Sequence, residues 1–350
     1  MRRRIAVSSN STWHWTPRLN ARLTVCIPAY NQPALLRETL TSLCDQGLAR
    51  QDYIVAVADD ASPTPLTDVI GEFGDRLQII YDRSPQNIGH LKNFERASRL
   101  TDTPYLSFLS HDDVISPGHL GRALALLEDG RDIVLAASLV LCQRHPGALG
   151  TYLHGHMLRG RKASFVEPYS WDRTEWMSLA MVGTPLSIVG SIFRTEAFRT
   201  CTAWQAFPLW HDRLMMGEMG LRGRIVSLPW IAGYYRVGEF QLSGALWTND
   251  RTEFRAVTEV VLQMCAQEGI AVADFWVDQI CDADPGARIE YLHMLNGALH
   301  EPAYEAIKQQ AEQRLGVRLH LGGRLDRLGV PRPVADWLRT IDRVVIRRQR

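Results

Sequence analysis

Two adjacent carboxylates, Asp112 and Asp113, are the residues of this sequence best suited to catalysis or metal binding. They follow a short apolar run from Tyr105 to Leu109 and precede Ser116-Pro117. The run predicts a buried strand and Ser-Pro a helix start, so both carboxylates would lie at the carboxyl end of a strand. In open α/β sheets ligands bind at that edge. Carboxylate oxygens suit Mg²⁺ or Mn²⁺, which take further ligands from water and substrate phosphates.

Polar residues follow two other apolar runs in the same way. Tyr30 and Asn31 come after the first run of the chain, Leu23 to Ile27, and Asp59 and Asp60 follow the second. An isolated acidic pair is most simply a solvated turn, but solvation alone does not explain polar clusters at three strand ends. Because parallel strands end at one edge of a sheet, these residues are predicted to share a crevice.

Strands alternate with helices along the first half of the sequence. The predicted strands are apolar on both faces, which is typical of a parallel sheet covered by helices. The elements expected here are strands at 23–27, 53–58, 77–81 and 105–109 and helices at 33–47, 66–73 and 90–100. The predicted fold class is α/β.

The pattern changes after residue 130. Strands are expected at 133–142, 182–193, 225–230 and 231–235, a loop at 145–165, and helices at 194–198 and 210–220. Asp212 falls in the first turn of the last of these helices. Past Ser243 the pattern is mainly helical, with helices expected at 254–266, 287–299, 303–315 and 333–346.

Composition and charge exclude several classes of protein. The net charge of +1 over 350 residues gives no electrostatic reason to expect a nucleic acid partner. The six cysteines form no CxxC pair, so neither a zinc site nor a disulfide scaffold is predicted, and thiols within apolar runs favour a reducing compartment. We expect a soluble, cytoplasmic protein, because the longest apolar run, Ile133 to Cys142, is shorter than a membrane span and the N-terminus lacks the apolar core of a signal peptide.

Arginine clusters lie at both ends of the sequence, at residues 2–4 and 347–350. Solvated termini are the expected interpretation. Peripheral contact with an anionic membrane surface, at the inner face of the membrane, is the alternative that stays open.

Two common phosphate-binding motifs are missing. No G-x-G-x-x-G follows the first strand, which excludes a dinucleotide-binding fingerprint, and no G-x-x-x-x-G-K-[ST] is present. A phosphate-bearing ligand would therefore be held through a metal on acidic residues.

Taken together, the motifs resemble the family 2 glycosyltransferases, which are inverting enzymes with the GT-A fold. The resemblance covers roughly residues 22–245 and rests on their order and spacing. The motifs are Ile27-Pro-Ala-Tyr-Asn31, Asp59-Asp60-Ala-Ser62, Asn87-Ile-Gly89 with Asn93, Ser110-His-Asp-Asp113, and Tyr234-Tyr-Arg236 with Gln241 and Ser243. The resemblance implies a GT-A-type nucleotide-diphospho-sugar transferase fold with a C-terminal helical extension.

The resemblance also assigns roles to residues. It implies a nucleotide-sugar site formed by Pro28, Ala29, Tyr30, Asn31, Asp59, Asp60, Asn87, Gly89, Asp112 and Arg236. Within this set Pro28 to Tyr30 would line the base, one of Asp59 and Asp60 would contact base or ribose, and Arg236 could approach the diphosphate. Asp112 and Asp113 match the metal-binding element, and Asp212 matches the catalytic base.

The sequence departs from the family pattern at two of these places. Ser110 stands where many members carry the first aspartate of the metal-binding element, so dependence on Mn²⁺ or Mg²⁺ could be weaker. His211 replaces the glutamate that often precedes the base. His111 is interpreted as a solvent-facing spacer rather than a metal ligand.

The family chemistry explains these residue types. Loss of a nucleoside diphosphate develops negative charge, which a divalent cation stabilises, and a hydroxyl acceptor needs a carboxylate to take its proton. One displacement with one base inverts the anomeric centre. The implied donor is a UDP-, GDP- or dTDP-sugar and the implied acceptor a glycan, lipid-linked or protein-linked, as in polysaccharide biosynthesis.

The implied domain organisation has four parts. Residues 1–21 form an N-terminal extension, 22–130 the nucleotide-sugar-binding half, 131–248 the acceptor-binding and catalytic half, and 249–350 the C-terminal helical region. That last region could complete the acceptor site, contact a membrane or form a dimer, and the oligomeric state stays open.

Two other functions remain as alternatives. A sugar nucleotidyltransferase would carry a Gly-rich, basic loop after the first strand, and Pro28 to Asn31 is not such a loop. A catalytically degenerate sugar- or nucleotide-binding subunit is supported by Ser110 and His211. Aromatic and histidine residues that could touch an acceptor, or simply pack in the core or lie in a loop, are Trp171, Trp176, Trp204, Trp210, His154 and His156.

Overall fold

A ten-stranded sheet with helices on its faces organises the computed structural model, which describes residues 21–144, 148–154, 167–237 and 252–319. The strands are β1 (Leu23–Ala29), β2 (Tyr53–Asp59), β3 (Ile79–Arg83), β4 (Tyr105–Phe108), β5 (Val114–Ile115), β6 (Ile133–Arg144), β7 (Ala148–His154), β8 (Tyr169–Ser170), β9 (Ile192–Arg194) and β10 (Arg224–Val237).

Helices alternate with these strands as far as β10, and the described elements after β10 are helices. The helices among the strands are α1 (Pro33–Leu43), α2 (Thr67–Gly71), α3 (His90–Ser98), α4 (His119–Asp129), α5 (Arg173–Val182), α6 (Thr195–Arg199) and α7 (His211–Gly220). The later helices are α8 (Thr252–Gln267), α9 (Val272–Asp282), α10 (Pro285–Ala298) and α11 (Glu301–Leu315). Short 3₁₀ turns occupy Arg50–Asp52 and Ala203–Ala206.

The sheet order brings the predicted site residues to one edge. The order is β3-β2-β1-β4-β9-β6-β10-β5, with β7 paired to β6 and β8 to β10. Strand β1 lies between β2 and β4 and is parallel to both, so Ala29 is level with Asp59 and Cys26 with Phe108. The expectation that the first, second and fourth strands end together is confirmed.

Burial of β1, β2 and one face of α1 explains why the apolar patterns of their sequences predicted these elements. All residues of β1 and β2 are buried, as expected for parallel strands covered on both faces. Helix α1 begins at Pro33 and buries Leu36, Leu40 and Leu43 on one face. Proline suits the first helical turn because no intrahelical bond needs its missing N–H.

Several predicted elements are wrong or incomplete. The run 182–193 is not one strand, because Val182 ends helix α5 and β9 begins only at Ile192. Helix α5 is buried on every side from Trp176 to Val182, so its sequence shows no helical period. Within the expected loop at 145–165 the structure has a strand, β7, and helix α9 and the short strand β5 were not predicted. The helix expected at 333–346 lies outside the described residues.

Two compact units divide the described chain. The first contains the described residues up to Trp171 and those from Thr184 to Val237, and it includes the whole sheet. The second contains Asp172–Gly183 and the described residues from Thr252 on, so helix α5 belongs to it together with α8 to α11. The four-part division drawn from the sequence stays a prediction.

Within these ranges, no single helix has the length and apolar composition of a membrane span. Helices α8 and α9, which are bent by 107° relative to each other, pass the same criteria only as a pair.

Candidate active site

The turn that carries Asp112 and Asp113 is fixed by contacts from distant elements. Asp113 is fully buried, and its Oδ1 accepts a hydrogen bond from the main-chain N–H of Arg236 at 2.9 Å. The Thr39 hydroxyl of α1 donates to the Asp113 carbonyl at 2.7 Å. Burial, and then the charge of Asp112, raises the pKa of Asp113 well above its usual value. The turn is therefore a rigid part of the fold rather than a solvated loop.

Arg236 braces this turn with its side chain as well. Its guanidinium donates to the Asp112 carbonyl at 3.0 Å and forms an ion pair with Glu38 of α1. Arg236 is 9% exposed. Its approach to a diphosphate remains a prediction, and in the structure its observed contacts hold the acidic turn against helix α1.

The donor set at this turn fits a hard divalent cation that shares its coordination with a ligand. No group of three or more His, Cys, Asp or Glu side chains surrounds one cation position in the described ranges. Asp113 Oδ2, however, is buried and has no hydrogen-bond partner, and the carboxylate of Asp112 is adjacent in sequence. A cation held by two carboxylates can complete its shell with water and substrate phosphates. An all-protein metal site is not present there.

His111 turns inward, contrary to the interpretation as a solvent-facing spacer. The residue is half-buried, and its Nδ1 lies 3.3 Å from the carbonyl oxygen of Pro28, close enough for a hydrogen bond from Nδ1–H. Its Nε2 is buried without a partner. His111 thus connects the acidic turn to the end of β1.

The segment after β1 presents one side chain to solvent. Pro28 and Ala29 are buried, whereas Tyr30 is 44% exposed. Asn31 adopts a left-handed backbone with φ 57°, which Asn tolerates better than most residues, and its N–H donates to Ser62 Oγ at 2.8 Å. Tyr30 is thereby held at the edge where β1 and β2 end.

Asp59 and Asp60 have different environments. Asp59 is completely buried, and its carboxylate accepts hydrogen bonds from the N–H and hydroxyl of Ser62 and from the Tyr81 hydroxyl. Arg83 Nε lies 3.3 Å from its Oδ2 as an ion pair. Protein donors therefore use both oxygens of Asp59.

Asp60 instead holds the loop before helix α3. Its Oδ1 accepts from the Ile88 N–H at 2.7 Å and its Oδ2 from the Gly89 N–H at 3.0 Å. Asn87 Oδ1 also accepts from the Gly89 N–H, at 3.1 Å. Gly89 has φ 87°, a conformation that favours glycine, and it precedes the first residue of α3. The predicted site residues 60, 87 and 89 are brought together.

Asp212 lies in the first turn of α7, as predicted, and is half-buried. Its Oδ1 accepts from the N–H of Arg213 at 2.7 Å. The position of α7 is fixed from its other end, where the Glu218 carboxylate accepts from the N–H groups of Thr202 and Trp204. Next to Asp212, His211 Nδ1–H donates to the Pro208 carbonyl at 3.1 Å.

His90, which the sequence analysis did not single out, lies next to predicted site residues. As the first residue of α3 it follows Gly89 directly, and its ring centroid lies 5.1 Å from that of His211. Burial of the ring, and then the neighbouring imidazoles of His211 and His111, lowers the pKa of His90 to about 4. The carboxylates of Asp212 and Asp112 act on the same imidazole in the opposite direction. His90 therefore contacts His211, the residue before the predicted base Asp212.

The remaining candidates divide between core and surface. Trp171, Trp176 and Trp204 are buried, as core packing predicts, and Trp210 is half-buried immediately before α7. Position 154 is the last residue of β7, and its side chain lies outside the described part of the structure, as do His156, Gln241 and Ser243.

Comparison with a family model gives a match over nearly half of the chain. Residues 24–183 match the model described as Glycosyl transferase family 2. The matched segment includes the ends of β1 and β2, the loop before α3 and the acidic turn after β4. Asp212 and Arg236 lie beyond it.

Curated relatives match a shorter part. Validoxylamine A glucosyltransferase of Streptomyces hygroscopicus subsp. jinggangensis is 36% identical over 105 residues, 29% of this chain and 25% of the relative. Succinoglycan biosynthesis protein ExoW of Rhizobium meliloti is 36% identical over 107 residues, 29% of this chain and 33% of the relative. The match thus spans only about a quarter to a third of these relatives' own length.

Solved structures match nearly the whole chain in fold. S. aureus TarS 1-349 in complex with UDP-GlcNAc superposes with a TM-score of 0.58 at 15% identity, over 91% of this chain and 92% of that one. The mannosyltransferase PcManGT from Pyrobaculum calidifontis, in complex with GDP-Man and Mn²⁺, gives 0.52 at 15% identity, over 94% and 86%. At such identity the likeness concerns the fold alone, and the predicted GT-A-type α/β fold with a helical C-terminal part is confirmed.

Proposed function

We propose that this chain, whose residues 24–183 belong to glycosyl transferase family 2, transfers a sugar from a nucleotide-diphosphate donor to a hydroxyl acceptor with inversion. The observation that carries the proposal is the acidic turn after β4, where Arg236 fixes Asp113 and the buried Asp113 Oδ2 has no hydrogen-bond partner, at the sheet edge where β1 and β2 also end. A displacement of this kind needs one group near the leaving diphosphate and another near the attacking hydroxyl. Asp112 and Asp212 are suited to these two roles.

The nucleotide is proposed to bind at the ends of β1 and β2. Tyr30, 44% exposed at this edge, can cover a base with its ring. Of the two acidic residues we assign the nucleotide contact to Asp60, because it holds the loop that contains Asn87 and Gly89, whereas Asp59 is completely buried against Ser62, Tyr81 and Arg83. Pro28, Ala29, Asn31, Asn87 and Gly89 would shape the same pocket.

Asp112 and Asp113 would hold Mn²⁺ or Mg²⁺. The bound cation would stabilise the negative charge that develops on the departing diphosphate. Asp113 fixes the turn through Arg236, and its buried, unpartnered Oδ2 supports a cation in this place. A cation in PcManGT and nucleotide sugars in both solved relatives support the same assignment.

Asp212 would act as the base. The acceptor oxygen attacks the anomeric carbon, Asp212 takes the hydroxyl proton, and the bond from that carbon to the diphosphate oxygen breaks. General-base assistance of this kind contributes about 10²–10⁴-fold in rate. A single displacement inverts the anomeric centre and needs no covalent enzyme intermediate.

The acceptor is proposed to be a glycan, lipid-linked or protein-linked. The relative named for succinoglycan biosynthesis supports a role in polysaccharide biosynthesis. We also propose a cytoplasmic location. Peripheral contact with a membrane through the arginine clusters at residues 2–4 and 347–350 is the alternative to a freely diffusing protein. The free thiols of Cys26, Cys44, Cys201, Cys265 and Cys281 are consistent with a reducing compartment.

The proposal is tested by calorimetric titration of UDP, GDP, CDP and dTDP, each with and without Mn²⁺. Wild type is compared with Asp112→Asn and with a control, Asp129→Asn, at an exposed carboxylate at the end of α4. We expect one diphosphate to bind, Mn²⁺ to strengthen its binding, and only Asp112→Asn to remove that strengthening. Absence of binding by every diphosphate would overturn the proposal.

A degenerate binding subunit is the second candidate. Ser110 in the metal-binding element and the full engagement of Arg236 with Asp112 and Glu38 favour it. Diphosphate binding without release of sugar from any sugar nucleotide, with all glycan acceptors tried, would select this alternative.

A further inference from the structure

We propose that the His90 imidazole hydrogen-bonds a hydroxyl of the transferred sugar and so determines which donor sugar the site accepts. The inference rests on the proposed function, because it places a sugar nucleotide in the crevice. It concerns the sugar and not the nucleotide, which makes the two separable by experiment.

The position of His90 in the chain points toward the sugar. Asp60 holds the N–H groups of Ile88 and Gly89, so the loop before α3 is fixed next to the proposed nucleotide pocket. Gly89, with φ 87°, turns the chain into α3. His90 is then the first side chain beyond the pocket, and part of it is open to solvent.

The neighbours of His90 place it beside the proposed base. Its ring centroid lies 5.1 Å from that of His211, which directly precedes Asp212 in the first turn of α7. In a displacement with inversion, the anomeric carbon lies between the leaving diphosphate and the attacking hydroxyl. The transferred sugar must therefore lie between the nucleotide pocket and the base, and His90 connects the loop of that pocket to the residue next to Asp212.

Packing holds the His90 ring in one place. Its centroid is 5.1 Å from that of His211 and 6.2 Å from that of Phe94. Phe94 in turn stacks on Phe108 at 4.0 Å and meets the edge of Trp204 at 5.6 Å. A polar group supported by a packed aromatic cluster is preorganised for a specific hydrogen bond.

The chemistry of His90 suits a sugar hydroxyl. A neutral imidazole has one donor nitrogen and one acceptor nitrogen, and a hydroxyl can use either. Such a group distinguishes sugars that differ in the presence or orientation of one hydroxyl, because a mismatched sugar does not form this hydrogen bond.

The test separates binding of the nucleotide from binding of the sugar. UDP, UDP-glucose and UDP-GlcNAc, and GDP with GDP-mannose, are titrated in the presence of Mn²⁺ into wild type and His90→Phe. For the nucleotide that binds, we expect the affinity for the diphosphate to stay within about twofold. The affinity for the preferred sugar nucleotide should fall by about fivefold, the typical loss of one hydrogen bond.

Two further variants control for packing. His90→Gln, which retains a donor and an acceptor, should recover part of the preference among donor sugars, measured as a ratio of kcat/KM values. His293→Phe, at an exposed residue of α10, should change none of these values. An equal loss for diphosphate and sugar nucleotide in His90→Phe, or no loss for either, would overturn the role of His90. Failure of wild type to bind any diphosphate would instead remove the proposed function and this inference with it.

Discussion

Arg236 and Asp113 are joined by a hydrogen bond from the Arg236 main-chain N–H to Asp113 Oδ1, 2.9 Å long and spanning 123 positions of sequence. The bond ties the last strand of the sheet to the acidic turn after β4. Because the backbone makes it, most residues at position 236 would preserve it. The guanidinium contacts to the Asp112 carbonyl and to Glu38 are specific to arginine.

Arg236→Gln separates these two contributions. The backbone bond remains, and loss of the guanidinium contacts should lower the free energy of unfolding by about 1–2 kcal/mol. Loosening the turn should weaken Mn²⁺-dependent diphosphate binding by about tenfold, as for other partners that orient metal ligands. Urea unfolding measures the change in stability, and calorimetry measures the change in diphosphate binding. Arg224→Gln is the control, because Arg224 lies on the same strand and forms an exposed pair with Asp132. An unchanged Mn²⁺ dependence in Arg236→Gln would contradict the bracing role.

Asp212→Asn removes the proposed base while leaving an isosteric side chain in the first turn of α7. The expected result is a fall in kcat of about 10²–10⁴-fold, with diphosphate binding unchanged. Steady-state kinetics and calorimetry provide the two readouts. Glu196→Gln removes an exposed carboxylate from the first turn of α6 and controls for a general effect of helix-terminal charge. A kcat within threefold of wild type would exclude Asp212 as the base.

Asp59→Asn should mainly lower the stability of the protein, whereas Asp60→Asn should mainly weaken nucleotide binding. Asp59 is completely buried, accepts hydrogen bonds from Ser62 and Tyr81 and forms an ion pair with Arg83. Its substitution should therefore lower the free energy of unfolding by about 2–4 kcal/mol. Asp60→Asn keeps one acceptor for the loop before α3, so it should cost about 1 kcal/mol but weaken nucleotide binding more. Urea unfolding and calorimetry on both variants decide the assignment, and normal nucleotide affinity in Asp60→Asn would reverse it.

Gly233→Ala tests the close approach of β5 and β10 beside the acidic turn. A Cβ at position 233 would lie 2.1 Å from the Val114 carbonyl oxygen and 2.9 Å from Ile115 Cα. The strands would have to separate, and we expect a loss of about 2–3 kcal/mol in the free energy of unfolding. Gly71→Ala is the matched control, because nothing lies within 4 Å of its added Cβ. Equal stability of the two variants would show that the strands can part at little cost.

His119 should make the stability of the protein depend on pH. The residue is fully buried, its Nε2 donates to the Gly190 carbonyl at 2.8 Å, and its Nδ1 accepts from the Trp230 indole at 2.9 Å. Burial lowers its pKa from 6.5 to about 4, so the unfolded chain binds a proton more readily than the folded protein. The stabilisation is therefore complete above pH 6.5 and is lost as the pH falls toward 4.

The amount lost between pH 7 and pH 4 is about 2–3 kcal/mol for this residue. Urea unfolding across this range measures it. His119→Gln should lower stability at pH 7 and reduce the slope between pH 6.5 and 4. A slope equal to that of wild type would assign the acid sensitivity to other groups, such as His211, whose pKa burial also lowers to about 4.

Elements with a clear local period were found from the sequence, and those without one were not. Helix α1 has a single apolar face, and its pattern predicts a helix. Helix α5 is buried on all sides from Trp176 to Val182, and the sequence predicts no helix there. Strand β10 was divided at Pro229, although it continues to Val237 with register shifts against β6. The pairing with β6 breaks off after Ser227 and resumes at Ile231, because it depends on a neighbour in the sheet rather than on the local apolar alternation.

The sequence by itself determined that this protein has an α/β sheet whose strand ends carry Tyr30, Asp59, Asp60, Asp112 and Asp113, because apolar runs and turn residues are local signals. Only the tertiary structure decided how these side chains are used. It turns the Asp59 carboxylate toward Ser62 and Tyr81, and it places Arg236 on the acidic turn. It also brings His90 against His211. These pairings join elements far apart in the chain, and their geometry depends on packing and burial, which no local pattern specifies.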